Sequence, residues 1–328
     1  MSSTVAPTFP ASLINEPAQS NPGTPTTSLG PIEHLVGTWT NKNNPVTGLG
    51  GPTSPYSYNV MPLPQGNMAP AGYILKNFSY YEEITFSAIH GSAPNRGGTG
   101  TQVANTLFYE QRVYFAEGPG KDSLVHAENG SWLFLSDRQQ FAGPYGSTPL
   151  PNSTPPTQPF NLVKQISVPH GNSILAAGNV ALNGTGGVTP TAGSPVIPAS
   201  APVLPKGVDT SLYTTQANTA ANYQNPNVAF TNNPNQPLID AIAAVPATSF
   251  IQLNVDTKTS KHPVSNIEFE QKWANVTQYE ASYWLEAFGG SSDFTQLQYS
   301  QTIYMDIPIT GAGLVSFPHI TTNTLTKM

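Results

Sequence analysis

The chain has 328 residues, of which only 9% are charged, and its formal net charge is −6. This mild acidity, without a cluster of lysine or arginine, argues against binding to nucleic acid or to an anionic membrane surface. The absence of cysteine excludes disulfides, thiolate metal sites and cysteine nucleophiles. Aromatic residues make up 10% of the chain, so a packed core can form.

The N-terminal residues have neither the basic nor the apolar region of a signal peptide. No run of about 18 apolar residues occurs, so no transmembrane helix is expected. We therefore expect a cytoplasmic protein. Residues 1–28 are rich in Pro, Ser, Thr and Asn without periodicity, which predicts a disordered or surface-draped arm before a single domain over residues 29–328.

The fold is expected to begin with a first strand near Trp39, after a turn at Gly30. A glycine two residues before a tryptophan, here Gly37, resembles the start of the first strand in calycin-like barrels, the group of lipocalins and fatty-acid-binding proteins. Many turn residues predict a long loop insertion over residues 42–72. A second insertion is expected over about residues 140–260, where Pro and Asn are frequent.

Three strand-like runs form the organising stretch of the chain, at residues 78–89, 105–115 and 124–135. In the first run, apolar side chains such as Ile84 recur at every second position, which is typical of a half-buried strand. Glu82 lies in register with them, and a carboxylate that points into a core needs a partner or a wet cavity. Gln111, Arg112 and His126 place polar groups on the next two strands. These positions predict a barrel with something inside it.

Further strands are expected after residue 160, separated by Pro- and Asn-rich connections. They are predicted at residues 162–168, 173–177, 249–255, 267–273, 281–288, 295–307 and 320–327. One short helix is predicted over residues 237–245, because a proline lies at each end. Gln301 lies among apolar same-face positions of its strand, like Glu82. Residues 183–236 carry no periodic pattern, which indicates a functional or surface-wrapped segment.

About ten strands and one short helix place the protein in the all-β class. Open sheet edges invite wrong pairing, so the sheet is expected to close into an antiparallel barrel decorated by long Pro- and Asn-rich loops. A barrel of this size can enclose a ligand cavity.

The histidines offer candidate chemistry. His126 and Glu128 are two residues apart on a strand, so their side chains project from the same face. The pair could be structural, could hold a metal, or could let the carboxylate set the tautomer of a general base. His170 lies between a proline and a glycine, at a constrained corner that could face the cavity mouth or the solvent. His319 begins a strand whose face is half apolar, which suits a barrel rim.

Several short segments occur in the order of a known family. They are LVGTW at 35–39, YYEEITF at 80–86, LFYEQR at 107–112, HAENGSW at 126–132 and PH at 318–319. With these segments, over roughly a third of its length, the chain resembles the nitrobindin-like family of heme-binding β-barrels. It resembles more closely a larger branch of such barrels, through PNRG at 94–97, ISVPHG at 166–171, LQYSQT at 297–302 and FPHI at 317–320.

The resemblance implies a barrel fold, heme as the cofactor, and His319 as the position that matches the family's heme-iron ligand. The leading hypothesis is therefore the binding of heme or another bulky apolar small molecule inside the barrel. The other side chains expected to contact the ligand are Glu82, Gln111, Arg112, His126, Trp132 and Gln301.

The competing hypothesis is a non-heme lyase, isomerase or hydrolase that acts on an apolar metabolite. A histidine would be the base, a glutamate the orienting or acid group, and an arginine the anion stabiliser. The candidates for these roles are His126, His170, Glu82, Glu128, Arg96 and Arg112. A third hypothesis is an interaction protein whose loops are functional. The expected partner is a small apolar ligand, neither nucleic acid nor a membrane is expected, and a homodimer stays open.

Overall fold

The computed structural model describes ten stretches of the chain. They are residues 29–42, 58–64, 72–76, 80–94, 102–116, 120–137, 160–181, 190–199, 204–213 and 233–328. Fourteen β-strands lie in these stretches: β1 Gly37–Thr40, β2 Tyr58–Pro64, β3 Tyr73–Lys76, β4 Tyr80–Pro94, β5 Gln102–Phe115, β6 Leu124–Asp137, β7 Leu162–Ser167, β8 Asn172–Ala181, β9 Thr191–Ala192, β10 Ser249–Asp256, β11 Val264–Asn266, β12 Asn275–Ala287, β13 Phe294–Ile309 and β14 Gly313–Lys327.

Ten of the fourteen strands form a closed ring of antiparallel neighbours, in the order β1-β4-β5-β6-β7-β8-β10-β12-β13-β14. The ring closes where β1 pairs with β14, with Trp39 opposite Lys327. The hairpin of β2 and β3 adds to the wall beside β14, where Asn59 lies opposite Thr321. Strands β9 and β11 are short additions to β10 and β8. The predicted closed antiparallel barrel of about ten strands is confirmed.

Alternating burial along the strands separates an interior face from an exterior face. On β10, Ile251, Leu253 and Val255 are buried, whereas the residues between them are partly exposed. On β4, Glu82 is buried in register with Ile84, as the sequence predicts. This period of two is the one that the pleat of a strand imposes.

The 3₁₀ helix Gly30–Leu35 closes one end of the barrel interior. Leu35 is fully buried, and its carbonyl accepts a hydrogen bond from Trp39 Nε1 at 2.7 Å. Gly30 has a φ of 59°, and a Cβ at this position would lie 2.6 Å from the ring of Phe134. His126 is eight residues from Phe134 on β6, roughly 27 Å along the strand. The helix and this histidine therefore mark opposite ends of the barrel.

Two short α-helices accompany the strands in the described residues. Helix α1, Gln236–Ala244, agrees with the helix predicted over residues 237–245, and its Leu238 packs on Trp284 outside the barrel. The strand predicted over residues 267–273 is wrong, because Glu268–Trp273 forms helix α2. Its glutamates lie in the first turn and Lys272 in the last, so its charges favour the helix dipole. Its large apolar side chains stay exposed instead of entering the sheet.

Some expectations fall partly or wholly outside the described residues. The arm at 1–28 and the loop around Arg96 lie outside them, and residues 183–236 are described only at 190–199, 204–213 and 233–236. The insertion expected at 42–72 contains β2, and the one at 140–260 contains β7, β8, α1 and β10. No helix in the described stretches has the length and apolar character needed to cross a membrane.

Candidate functional site

Eight polar side chains form a buried polar layer across the middle of the barrel. None of them is more than 8% exposed. They are Glu82, Tyr109, Gln111, Glu128, Lys164, Tyr279, Tyr283 and Tyr299, from six different strands. The centre of the barrel is therefore occupied by the protein's own polar groups.

Lys164 on β7 is the centre of one half of this layer. Its Nζ lies 3.3 Å from Glu128 Oε1 and donates hydrogen bonds to the phenol oxygens of Tyr279 at 3.0 Å and Tyr283 at 2.9 Å. The hydroxyl of Tyr109 donates to the same Glu128 oxygen at 2.6 Å. All three ammonium protons thus have acceptors, which compensates a charge that burial would otherwise penalise.

Aromatic rings complete the surroundings of Lys164. Its Nζ lies 5.2 Å from the ring centroid of Tyr109 and 5.7 Å from that of Trp132, within the range of cation–π attraction. Gly130 permits close packing here, since a Cβ there would lie 1.9 Å from the backbone oxygen of Gln165 on β7 and 2.9 Å from the Tyr109 ring. The glycine therefore allows both the close approach of β7 and the position of the Tyr109 phenol.

Attraction between Lys164 and Glu128 decides the protonation state of both groups. Burial alone would raise the pKa of Glu128 and lower the pKa of Lys164. The opposite charges outweigh burial, so the pKa of Glu128 is held below its ordinary value and the pKa of Lys164 well above it. Both groups are charged at neutral pH.

Glu82 is the centre of the other half of the layer. Its Oε2 accepts hydrogen bonds from Gln111 Nε2 at 2.7 Å and from the Tyr299 hydroxyl at 2.9 Å. Burial raises the pKa of Glu82 to about 7, although these hydrogen bonds partly offset the effect. The stacked rings of Tyr283 and Tyr299, with centroids 5.3 Å apart, join the two halves. One carboxylate of the layer is thus firmly ionised and the other titrates near neutral pH.

Three histidines meet at the end of the barrel opposite the 3₁₀ helix, which we term the histidine end. The ring centroids of His126 and His170 are 5.2 Å apart, edge to face. His126 Nε2 lies 3.6 Å from Glu128 Oε2, which connects this end to the buried polar layer. His126 also lies close enough to His319 to lower the pKa of that histidine. The fold therefore brings His126, Glu128, His170 and His319 together.

Asn59 on β2 holds the ring of His319. The Nε2 atom of His319 lies 3.1 Å from Asn59 Oδ1, and Thr321 donates to the same oxygen at 3.0 Å. Because an amide oxygen only accepts hydrogen bonds, the contact with Oδ1 fits the tautomer of His319 that carries its proton on Nε2. In that tautomer Nδ1 carries the lone pair, and Nδ1 makes no hydrogen bond to any residue in the described stretches.

Burial keeps two of these histidines neutral. It lowers the pKa of His319 to about 4, with a smaller contribution from His126. Burial and His126 lower the pKa of His170 in the same direction. A neutral imidazole is the form that binds a metal or accepts a proton. The histidine end can therefore provide a ligand atom or a base at physiological pH.

Solvent exposure distinguishes the histidine end from the layer behind it. The side chain of His126 is 32% exposed, compared with 5% for Glu128 two residues further along the same face of β6. Other inward-facing side chains near His126 are partly exposed as well; they are Gln301, Ile303, His319 and Thr321. The interior face of the barrel is thus accessible at this end.

The remaining predicted site residues lie in several places. Gln301 is at the histidine end, where its Oε1 accepts a hydrogen bond from Tyr279 at 3.4 Å. Glu82 and Gln111 are bonded to each other in the buried polar layer, and Trp132 is fully buried on the closed side of it. The catalytic role expected for Arg96 concerns a residue outside the described stretches.

Arg112 does not line the interior, contrary to the expectation that it contacts the ligand. It is one residue out of phase with Gln111 on β5, so its side chain projects from the outer face. There it is half exposed, and its Nε donates to Glu110 Oε1 at 2.7 Å. Glu110 also raises the pKa of Arg112.

Sequence reasoning missed two residues that organise the site. Lys164 lies in register with Leu162 and Ile166, both buried, so the signal that singled out Glu82 was present there too. Asn59 gave no such signal, because residues 42–72 were interpreted as a loop insertion. Its role depends on the pairing of β2 with β14, which is a contact between distant parts of the chain.

The described residues contain no group of three or more His, Cys, Asp or Glu side chains that could hold a metal ion by themselves. No known family model and no curated protein matches this chain.

Proposed function

We propose that the barrel binds a small molecule at its histidine end. The observation that carries the proposal is the change in exposure along the interior face of β6, from a buried, fully paired Glu128 to a partly exposed His126. Inward-facing side chains that remain accessible are where a barrel can admit a ligand. The buried polar layer would form the floor of this site.

Heme is the ligand that these residues favour. One neutral imidazole is what a protein commonly supplies to heme iron, and burial keeps His319 neutral. The residues present fit this role, because Asn59 holds Nε2 and leaves Nδ1 available to the iron. Ile303, opposite His319 on β13, would offer apolar contact. Bound heme would supply a redox-active iron, and the resemblance to heme-binding barrels points the same way.

The test is a titration of the purified protein with hemin, followed by its absorbance spectrum. We expect a shifted Soret band at one equivalent, and His319→Ala should remove the shift. His34→Ala is the matched control, because His34 contacts Phe294 and Glu33 away from the histidine end. Two results would contradict heme ligation by this residue. In one, the wild type with hemin gives the spectrum of free hemin; in the other, His319→Ala with hemin gives the same shifted spectrum as the wild type.

A second candidate function, acid–base catalysis, rests on the pair of His126 and Glu128. The carboxylate is held ionised by Lys164 and lies 3.6 Å from the imidazole at the accessible end. A charged carboxylate beside a histidine orients the ring and stabilises its protonated form. Proton abstraction from 5-nitrobenzisoxazole, a general probe for a base in an apolar site, tests this function. Its rate should fall in His126→Ala, and an equal rate in the variant would refute the candidate.

A further inference from the structure

The outer face of β12 and β13 holds a second polar cluster, unrelated to the histidine end. It consists of Trp284, Glu286, Gln296 and Gln298, none of which is more than 1% exposed. In the strand register Glu286 lies opposite Gln296, and Trp284 lies opposite Gln298. Because residues two apart share a face, the four side chains form one patch of neighbours.

Each member of this outer cluster carries a buried polar atom that has no hydrogen-bond partner among the described residues. These atoms are Trp284 Nε1, Glu286 Oε1, Gln296 Oε1 and Gln298 Oε1. Buried polar atoms are nearly always paired, so four orphans on adjacent positions need an explanation.

The hydrogen bonds that do exist orient the cluster. Gln296 Nε2 donates to Glu286 Oε2 at 2.7 Å. Gln298 Nε2 donates to the Leu238 carbonyl at 3.2 Å and to Thr324 Oγ1 at 3.0 Å. With both amide nitrogens engaged, the two amide oxygens and one carboxyl oxygen are left over. When Glu286 is ionised, the surplus on this face is therefore three acceptor oxygens against one indole N–H.

Apolar groups seal the cluster from solvent. Leu238 of α1 and Ile197 pack with Trp284 in one buried group, and Phe250 packs against it. In the part of the chain that the structure describes, no Lys, Arg or His pairs with Glu286. The strand register also shifts between Glu286 and Ala287, and such irregularities often re-aim side chains at sites.

We propose that this outer cluster is a binding site for a monovalent cation such as potassium, sodium or ammonium. Three free oxygens match the oxygen ligands that hard cations prefer. A single carboxylate balances one positive charge, whereas a divalent ion in a sealed site would keep an unpaired charge. A water molecule held by the cation could accept the Trp284 N–H.

Cation binding must compete with a proton on Glu286. Burial raises the pKa of Glu286 to about 8, with the Gln296 hydrogen bond opposing it in part. At pH values below that pKa, the apparent cation affinity should rise about tenfold for each unit by which the pH increases. The acidic residues on the neighbouring elements lie away from Glu286. Asp240 of α1 is exposed and bonded to Gln236. Asp256 and Asp306 lie toward the far ends of β10 and β13.

The test compares melting temperatures in potassium, sodium, ammonium and tetramethylammonium chloride at equal ionic strength. At about pH 9 we expect the melting temperature in at least one of the three small-cation salts to be about 3 °C higher than in tetramethylammonium chloride. The difference should shrink at about pH 6, where the proton competes. It should vanish in Glu286→Gln and persist in the control Glu268→Gln, whose carboxylate is exposed.

Two outcomes would overturn the proposal. One is equal melting temperatures in all four salts at both pH values, which would leave buried water as the partner of these atoms. The other is a cation effect of the same size in Glu286→Gln, which would place the ion elsewhere. Gln298→Met offers an independent check, because it keeps the side-chain volume but removes one ligand oxygen, and it should weaken the cation effect.

Discussion

The two carboxylates of the buried polar layer lie on neighbouring parts of one barrel, yet they behave differently. Glu128 has a cation, Lys164, at 3.3 Å and stays ionised. Among the described residues Glu82 has neutral donors, which include Gln111 and Tyr299, and no cation, and its pKa rises to about 7. Burial is nearly the same for both, so the partner and not the burial decides the charge.

The same contrast separates the buried polar layer from the histidine end. In the layer, polar groups contact one another in a sealed interior, whereas at the histidine end the imidazoles keep an exposed edge. The groups of the layer are sealed inside the protein, whereas His126 and His319, although held by Glu128 and Asn59, remain partly exposed. We therefore propose the histidine end as the ligand site and a structural role for the layer.

The largest expected effect comes from breaking the buried ion pair. Lys164→Met removes the cation beside Glu128, so the buried carboxylate must either stay charged without it or take up a proton, and the free energy of unfolding should fall by about 3–5 kcal/mol. Denaturant unfolding measures this. Arg112→Met is the matched control, since it breaks an exposed pair with Glu110 and should change stability little. Equal losses in the two variants would contradict the distinction between buried and exposed pairs.

The next effect concerns Glu82 and depends on pH. Because folding raises its pKa from 4.5 to about 7, the contribution of Glu82 to stability should fall as pH rises through that window and should stay constant above it. Glu82→Gln cannot ionise, so it should be more stable than wild type by about 1–3 kcal/mol above pH 7. Urea unfolding at several pH values measures the difference. Glu83→Gln, on the outer face, is the control, and identical pH profiles of Glu82→Gln and wild type would sink the prediction.

A third effect concerns acid stability at the histidine end. Folding lowers the pKa of His319 from 6.5 to about 4, so the unfolded chain binds a proton there before the folded chain does. The contribution of His319 to stability should therefore be lost as pH falls from 6.5 to 4. His319→Gln should flatten that part of the pH profile, because the unfolded chain would no longer bind one more proton at this position than the folded chain does. An unchanged slope in the variant would show that His319 is protonated in the folded protein.

The smallest effect should come from single hydroxyl groups of the layer. Tyr299→Phe removes the 2.9 Å hydrogen bond to Glu82 and should cost about 1–2 kcal/mol. Since that bond favours the ionised form, the variant should also raise the pKa of Glu82 further. Chemical-shift titration of the Glu82 carboxyl measures this, and an unaltered pKa would contradict the assigned contact.

Much of the fold follows from local patterns in the sequence. Alternation along β4, β5 and β6 predicted three strands of the wall, and Glu82 correctly indicated a polar interior. The prediction of a strand at 267–273 failed because apolar residues there are exposed, which a pattern of spacing alone does not reveal. Gln111 and Arg112 were both expected to contact the ligand, although adjacent strand residues face opposite ways and only Gln111 is buried.

The site was harder to predict than the fold, because it depends on contacts between distant residues. The pairing of β2 with β14 brings Asn59 to His319, 260 positions away in the sequence. Lys164 could have been found from its register, but its partners Tyr279 and Tyr283 lie more than a hundred residues later. Charge and protonation follow from such partners, so they become visible only in the folded chain.

The most direct test of the central claim compares hemin affinity in three proteins: wild type, His319→Ala at the histidine end, and Glu82→Gln in the buried polar layer. Absorbance titration gives the dissociation constant of each. We predict that His319→Ala loses the Soret shift whereas Glu82→Gln binds hemin as the wild type does. Loss of binding in Glu82→Gln with normal binding in His319→Ala would instead place the ligand in the layer and contradict the proposed site.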